Sequence, residues 1–148
     1  MNSARDDIVE TSDYVWQRLS SRLAGLTEAE FHWQPEVTTL KWRLRHIVDF
    51  LSMERNWTWL GLEPSGVTIA EPTTAAGALS ALDQAYAAWS SVLAASTDSS
   101  LQELIGPLGG PYATATRRAF VLHILDELVH HGAEAALMRD LYAARQRG

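Results

Sequence analysis

The stretch that decides the fold is Gly61–Thr73, "GLEPSGVTIAEPT". It contains Pro64 and Pro72, Gly61 and Gly66, and no helical period, so it reads as a linker between two helices. Fully extended, it reaches roughly 40 Å, whereas a helix of about twenty residues is roughly 30 Å long. A linker of that reach crosses a bundle from one end to the other and leaves the helices on either side of it parallel.

Helical patterns flank the linker on both sides. Residues from about 5 to 24 place Ile8, Val9, Val15, Trp16, Leu19 and Leu23 on one face, and Asp6, Asp7, Glu10 and Asp13 enrich the amino-terminal end in acid. Gly25 breaks this first helix. Leu26 to Glu30 then reads as a short capped turn of helix that Pro35 ends. A second helix is predicted from about Thr39 to Leu60, with Trp42, Ile47, Leu51, Met53, Trp57 and Leu60 among its apolar positions. Beyond the linker, a third runs from about Thr74 to Ala95, with Leu79, Leu82, Tyr86, Trp89 and Leu93 inward. The glycines and prolines of "GPLGGP", Gly106–Pro111, exclude helix and predict a loop. The fourth long helix spans about Ala115 to Arg145, its core stripe formed by Phe120, Ile124 and Leu128 and extended by Leu137 and Leu141. Four long amphipathic helices without a convincing strand predict an all-α four-helix bundle, and 148 residues predict one domain, 1–148.

Composition narrows the function. A net charge of −6 without a basic stripe gives a phosphate backbone little attraction, so nucleic acid is excluded as a partner, and Arg43 with Arg45 remains only a candidate for a small anion. Neither a secretory pattern at the start nor a long apolar run is present, which predicts a cytoplasmic protein with no membrane partner. There is no cysteine, so disulfides and thiolate ligands are excluded, and any thiol chemistry must use a thiol from outside. Lys41 is the one lysine among twelve basic residues, a bias that points to a GC-rich genome.

The chemistry concentrates in "FVLHILDELVHHGAE", Phe120–Glu134. Residues four apart stack on one helix face, so His123, Glu127 and His131 share a side, and imidazole with carboxylate is a good donor set for a transition metal. Spacing alone does not choose between a metal site and a solvated polar helix, because the same interval recurs at His32/Glu36, Asp126/His130 and His130/Glu134. Glu127 and His131 lie beside the apolar stripe, while His130 and Glu134 lie further around. A half-buried acid needs a ligand or a partner, and Arg43 or Arg45 across the bundle is the alternative to an ion. On the second helix, His46 falls on the apolar face between Trp42 and Phe50, where a hydrogen-bonded core histidine is more usual than a ligand. His32 reads as surface, and His123 as a packing or supporting residue one turn too far along. Glu54, two turns after His46, reads as a surface carboxylate before it reads as support for that histidine.

A histidine in "LRHIVDFLSMERNW", followed much later by "LHILDELVHHGAEAALMRDLY", resembles the DinB/YfiT-like superfamily of metal-binding four-helix bundles. The resemblance runs from "LTEAEFHWQP" through the last helix and implies the long crossover between the second and third helices. It also implies a metal held by His46, Glu127 and His131, with Gly132-Ala133-Glu134 where relatives carry a glycine-glutamine segment. Many relatives have histidine where Glu127 stands. A His, Glu, His set is similar to that of the mycothiol-dependent maleylpyruvate isomerases of the same superfamily, whose additional carboxy-terminal domain has no counterpart expected here. The implied activity is that of a divalent-metal-dependent thiol S-transferase. Zinc is the first choice of metal, with nickel, iron or manganese as alternatives. Mycothiol or bacillithiol is the co-substrate and a small electrophile the second partner, in a homodimer. The alternatives are a metal-dependent hydrolase and a non-catalytic dimeric binding or stress protein. No side chain is assigned as catalytic or cofactor-binding beyond the metal set.

Overall fold

The computed structural model describes residues 3–148. It is built of α1 (Ala4–Leu23), α2 (Glu28–His32), α3 (Leu40–Ser52), α4 (Arg55–Thr58), α5 (Ala75–Ala95), α6 (Asp98–Gln102), a 3-10 segment (Pro107–Tyr112) and α7 (Arg117–Arg147). Six of these helices begin on a hydroxyl: Ser3, Thr27, Thr39, Thr74, Thr97 and Thr116 each accept a hydrogen bond from an amide of the first turn. Such a cap satisfies one of the amides a helix start leaves unpaired and stabilises it by about 1 kcal/mol.

The four long helices pack in a ring in which α1 and α3 each touch both α5 and α7. Their directions follow from pairs of contacts. Arg5 at the start of α1 reaches the carbonyls of Leu93 and Ala94 at the end of α5, so these two run antiparallel. Arg22 at the end of α1 meets Ala136 and Asp140 late in α7, so those two run parallel. Arg43 meets Glu134 while Arg55 lies over Phe120, so the α3–α4 arm opposes α7. It follows that α3 and α5 are parallel, and the Gly61–Thr73 stretch is the crossover its length predicts. Gly61 itself turns the chain at φ 73°, and an added Cβ would lie within 2.8 Å of the Arg117 guanidinium.

The core is continuous and includes Leu44, Ile47, Leu51, Leu82, Trp89, Ile124 and Leu128, all fully buried. Where α5 packs on its neighbours it presents alanine, with Ala75, Ala78, Ala81, Ala85 and Ala88 buried along one side. Short side chains there let the helix approach closely.

Three expectations need correction. The second helix does not run unbroken to Leu60: the backbone turns extended at Met53 (φ −59°, ψ 138°) before α4. The buried Asn56 amide donates to the Phe50 carbonyl at 2.8 Å, replacing the helical donor that the break removes. Trp57 and Leu60 are buried as expected, whereas Met53 at the break is 43% exposed and Trp42, in the first turn of α3, is 51% exposed. Leu137 and Leu141 are also exposed rather than core, and Ala135 and Met138 take their place. Leu141 lies beyond Arg139, whose guanidinium already closes the end of α1 through the carbonyls of Arg22 and Ala24, so little chain remains to cover it. Finally, "GPLGGP" enters a 3-10 segment interrupted at Gly110 (φ 53°) instead of remaining a helix-free loop.

Candidate metal centre

His46 stands in the middle of α3, one turn after Trp42 and one before Phe50, and both rings fix it. It stacks on Trp42 with centroids 5.2 Å apart and planes 11° from parallel, and meets Phe50 edge-on at 5.5 Å. Across the groove, α7 presents Glu127 and His131 on successive turns. The Glu127 Oε2 atom lies 3.7 Å from His46 Nε2 and 3.1 Å from His131 Nε2. The His46 and His131 rings are perpendicular, with centroids 4.4 Å apart. Three donors thus converge within 4.8 Å of one another, and all three residues are half-buried.

These separations suit a shared ion. Donors bound tetrahedrally at about 2.0–2.1 Å lie roughly 3.3 Å from each other, between the two distances seen here. The arginine alternative fails: Arg43 pairs with Glu134, and Arg45 pairs with Glu71 and, more loosely, Asp49. Glu127 therefore has only histidines as partners among the described residues. The same pairs neutralise Arg43 and Arg45 as a small-anion site.

Glu134, which spacing alone placed further around, stands directly behind the candidate group. Its Oε2 lies within hydrogen-bond reach of His131 Nδ1 at 3.3 Å and forms an ion pair with Arg43 Nη1 at 2.5 Å. With Nδ1 occupied by Glu134, Nε2 is the atom His131 offers to an ion shared with Glu127 and His46. A carboxylate behind a ligating imidazole fixes its tautomer and orientation in this way. The signal in the sequence was the three-residue step from His131 to Glu134, which curls back under the ring.

A second grouping, His130 with His131 and Glu134, also brings donors together. It is the weaker of the two. All its members come from α7, His130 is 63% exposed, and Glu134 is already committed to Arg43. Both groupings need His131, so one ion would occupy one of them. His123 is exposed on α7 and joins neither group, His32 pairs at the surface with Glu28, and Glu54 forms no ion pair among the described residues.

Comparison with known proteins agrees with this architecture. Residues 12–135 match the family model described as the DinB superfamily. A conserved protein from Enterococcus faecalis, known from its crystal structure, shares the fold with a TM-score of 0.64 over 95% of this chain and 98% of its own, at 20% identity. No curated protein matches the chain at a significant level. No helix of the described residues is long and apolar enough to cross a membrane. With four fifths of its length inside the family match and the crossover in place, the chain belongs to the DinB superfamily.

Proposed function

We propose that His46, Glu127 and His131 bind one divalent transition ion, zinc before nickel, iron or manganese, and that the protein is a metal-dependent thiol S-transferase. The observation that carries this reading is the convergence of two imidazole nitrogens from different helices on one carboxylate oxygen that no arginine or lysine neutralises. Two neutral donors and one anion complement a dication and leave it net positive, and three protein ligands are the number associated with catalytic rather than structural zinc. Such an ion lowers the pKa of a thiol that enters beside it, so that the thiolate is available near neutral pH.

The chain's own residues supply the remainder. Glu127 contributes the single negative charge, which should hold the ion more tightly than a third histidine while reducing its pull on an entering ligand. Glu134 and Arg43 orient His131. The faces of Trp42 and Phe50 confine the His46 ring, which leaves the far side of the donor group as the approach for thiol and electrophile. The sequence contains no cysteine, so the nucleophile would be a small thiol such as mycothiol or bacillithiol.

Two measurements test this. Purified protein should contain about one transition ion per chain, and less than a tenth of that removes the site. Turnover of a generic electrophile should require added thiol; turnover without thiol would make water the nucleophile and the protein a hydrolase.

A further inference from the structure

The donor group is not the only built feature on the α3–α4/α7 side of the bundle. A cavity of about 350 Å³ lies where α4 meets the start of α7, walled by Trp59, Phe120 and Tyr112 and floored by Ile105, with Ala115 and Ala119 keeping it open. Trp59 joins the aromatic wall together: it lies 4.9 Å from Phe120 and 6.0 Å from Tyr112 between centroids. The volume lies within the roughly 300–1,000 Å³ range of small-molecule pockets.

Its one permanent charge is Arg55, whose guanidinium carbon sits 5.2 Å over Trp59 and 5.7 Å over Phe120. Five arginines of this protein are half-buried: Arg5, Arg43, Arg55, Arg117 and Arg139. Four have carboxylate partners, respectively Asp6, Glu134, Glu103 and Glu30. Arg55 alone has none among the described residues; its Nε, like those of Arg43 and Arg117, is sealed from solvent without a hydrogen bond. A half-buried guanidinium with no carboxylate partner among the described residues, set against two aromatic rings at the wall of an apolar cavity, has the chemistry of a carboxylate receptor. Arginine offers two parallel donors to such a group, and the rings offer stacking faces to whatever carries it.

We propose that this cavity binds a small aromatic carboxylate, its ring among Trp59, Phe120 and Tyr112 and its carboxylate on Arg55. His123, which the metal group does not use, stands exposed at the rim, where its ring N–H can donate to the same anion. The site does not depend on the metal reading.

Equilibrium binding of benzoate and 2-naphthoate, each beside its neutral carboxamide, to metal-stripped protein tests the proposal. Removing the ion in advance means that no carboxylate can report a metal. The acids should bind saturably at about millimolar or tighter, the affinity that ordinary ligand efficiency gives a probe of this size. They should exceed their amides by roughly tenfold or more, as a charge-assisted pair implies. Arg55→Met should bring the acid down to the level of its amide. Ala119→Leu, on the exposed side of α7 and so harmless to folding, should weaken acid and amide together by filling the cavity. His131→Ala, which removes a proposed metal ligand, should bind the acids like the parent protein, so that loss of the metal reading leaves this one standing. Equal affinity for acid and amide, an Arg55→Met variant that binds the acid undiminished, or no saturable binding of any probe would each overturn it.

Discussion

The site makes its most exacting prediction through heat. A ligand that binds only the folded state stabilises it by RT ln(1 + [L]/Kd), about 2.7 kcal/mol when the free ion is at a hundred times its Kd. For a chain of this size each kcal/mol moves the midpoint by about 2–4 °C, so zinc at that level should raise the melting temperature by roughly 5–10 °C. His131→Ala removes the donor common to both groupings, and its shift should vanish. His130→Ala removes a side chain 63% exposed that pairs with Glu134 and meets the His131 ring edge-on but adds no donor to the His46, Glu127 and His131 group, so its shift should stay close to the parent's. Glu134→Gln is the discriminating variant. It leaves all three donors in place but weakens the hold on the His131 ring, a change that elsewhere costs about 10–100-fold in metal affinity. At the same ion concentration the stabilisation then falls to about 0.4–1.4 kcal/mol, a residual shift of roughly 1–5 °C. Each variant is compared with and without metal, because freeing Arg43 alters the metal-free protein as well. Scanning fluorimetry with buffered zinc reads all four. Equal losses in His130→Ala and His131→Ala would refute the ligand assignment, and an undiminished shift in Glu134→Gln would refute the role of the carboxylate behind His131.

Other consequences concern the frame that holds the site. Arg139 bonds the buried Glu30 at 2.9 and 3.2 Å and the carbonyls of Arg22 and Ala24 at the end of α1 at 2.8 Å, so Arg139→Met strands a buried carboxylate; chemical denaturation should show a loss of about 3 kcal/mol or more. Burial opposes ionisation of Glu30, but Arg139 and Thr27 outweigh it and hold its carboxyl below the usual glutamate range. A depressed folded-state pKa contributes stability at neutral pH that is lost as pH falls below about 4.3 and through the folded value, so the parent should lose more stability than Glu30→Gln over that interval in acid-denaturation curves. Tyr86 has the opposite sign: burial and the 2.7 Å bond it donates to Asp13 push its phenol up, so its contribution is complete below about pH 10 and lost above that, and Tyr86→Phe should flatten the alkaline limb of a melting profile. Gly61→Ala should cost about 1–3 kcal/mol in a denaturant titration, chiefly for the positive φ, since the Arg117 guanidinium it meets is the movable end of a side chain.

Much of this architecture was legible because the features that mark it are local. Hydroxyl residues at the starts of helices, glycine at Gly25 and the crossover at Gly61–Thr73 act on their own neighbours, and the structure places helix boundaries close to each. What misled was apolar pattern without knowledge of its partner. Met53 continues the stripe of α3, but the helix ends just before it because Asn56 finds the Phe50 carbonyl, a contact invisible to periodicity. Leu137 continues the stripe of α7, yet α1 turns its Arg18 and Arg22 to that groove, and the leucine remains on its surface.

The candidate site shows the same division more sharply. Four-residue intervals between histidine and acid recur along the chain, and within one helix they are equivalent: His130 with Glu134 is as well formed, at 2.8 Å, as His131 with Glu127 at 3.1 Å. Nothing on α7 alone distinguishes them. The distinction comes from α3, which brings His46 to Glu127 and Arg43 to Glu134. One carboxylate thereby gains a second imidazole and keeps its charge available to a cation. The other gains a guanidinium and becomes a support. Because Arg43 and His46 are three residues apart and lie one turn from each other, a single register of α3 against α7 settles both assignments at once. A slip of one turn would part His46 from Glu127 and Arg43 from Glu134 together, so the register, more than the donor list, is what gives Glu127 its chemistry.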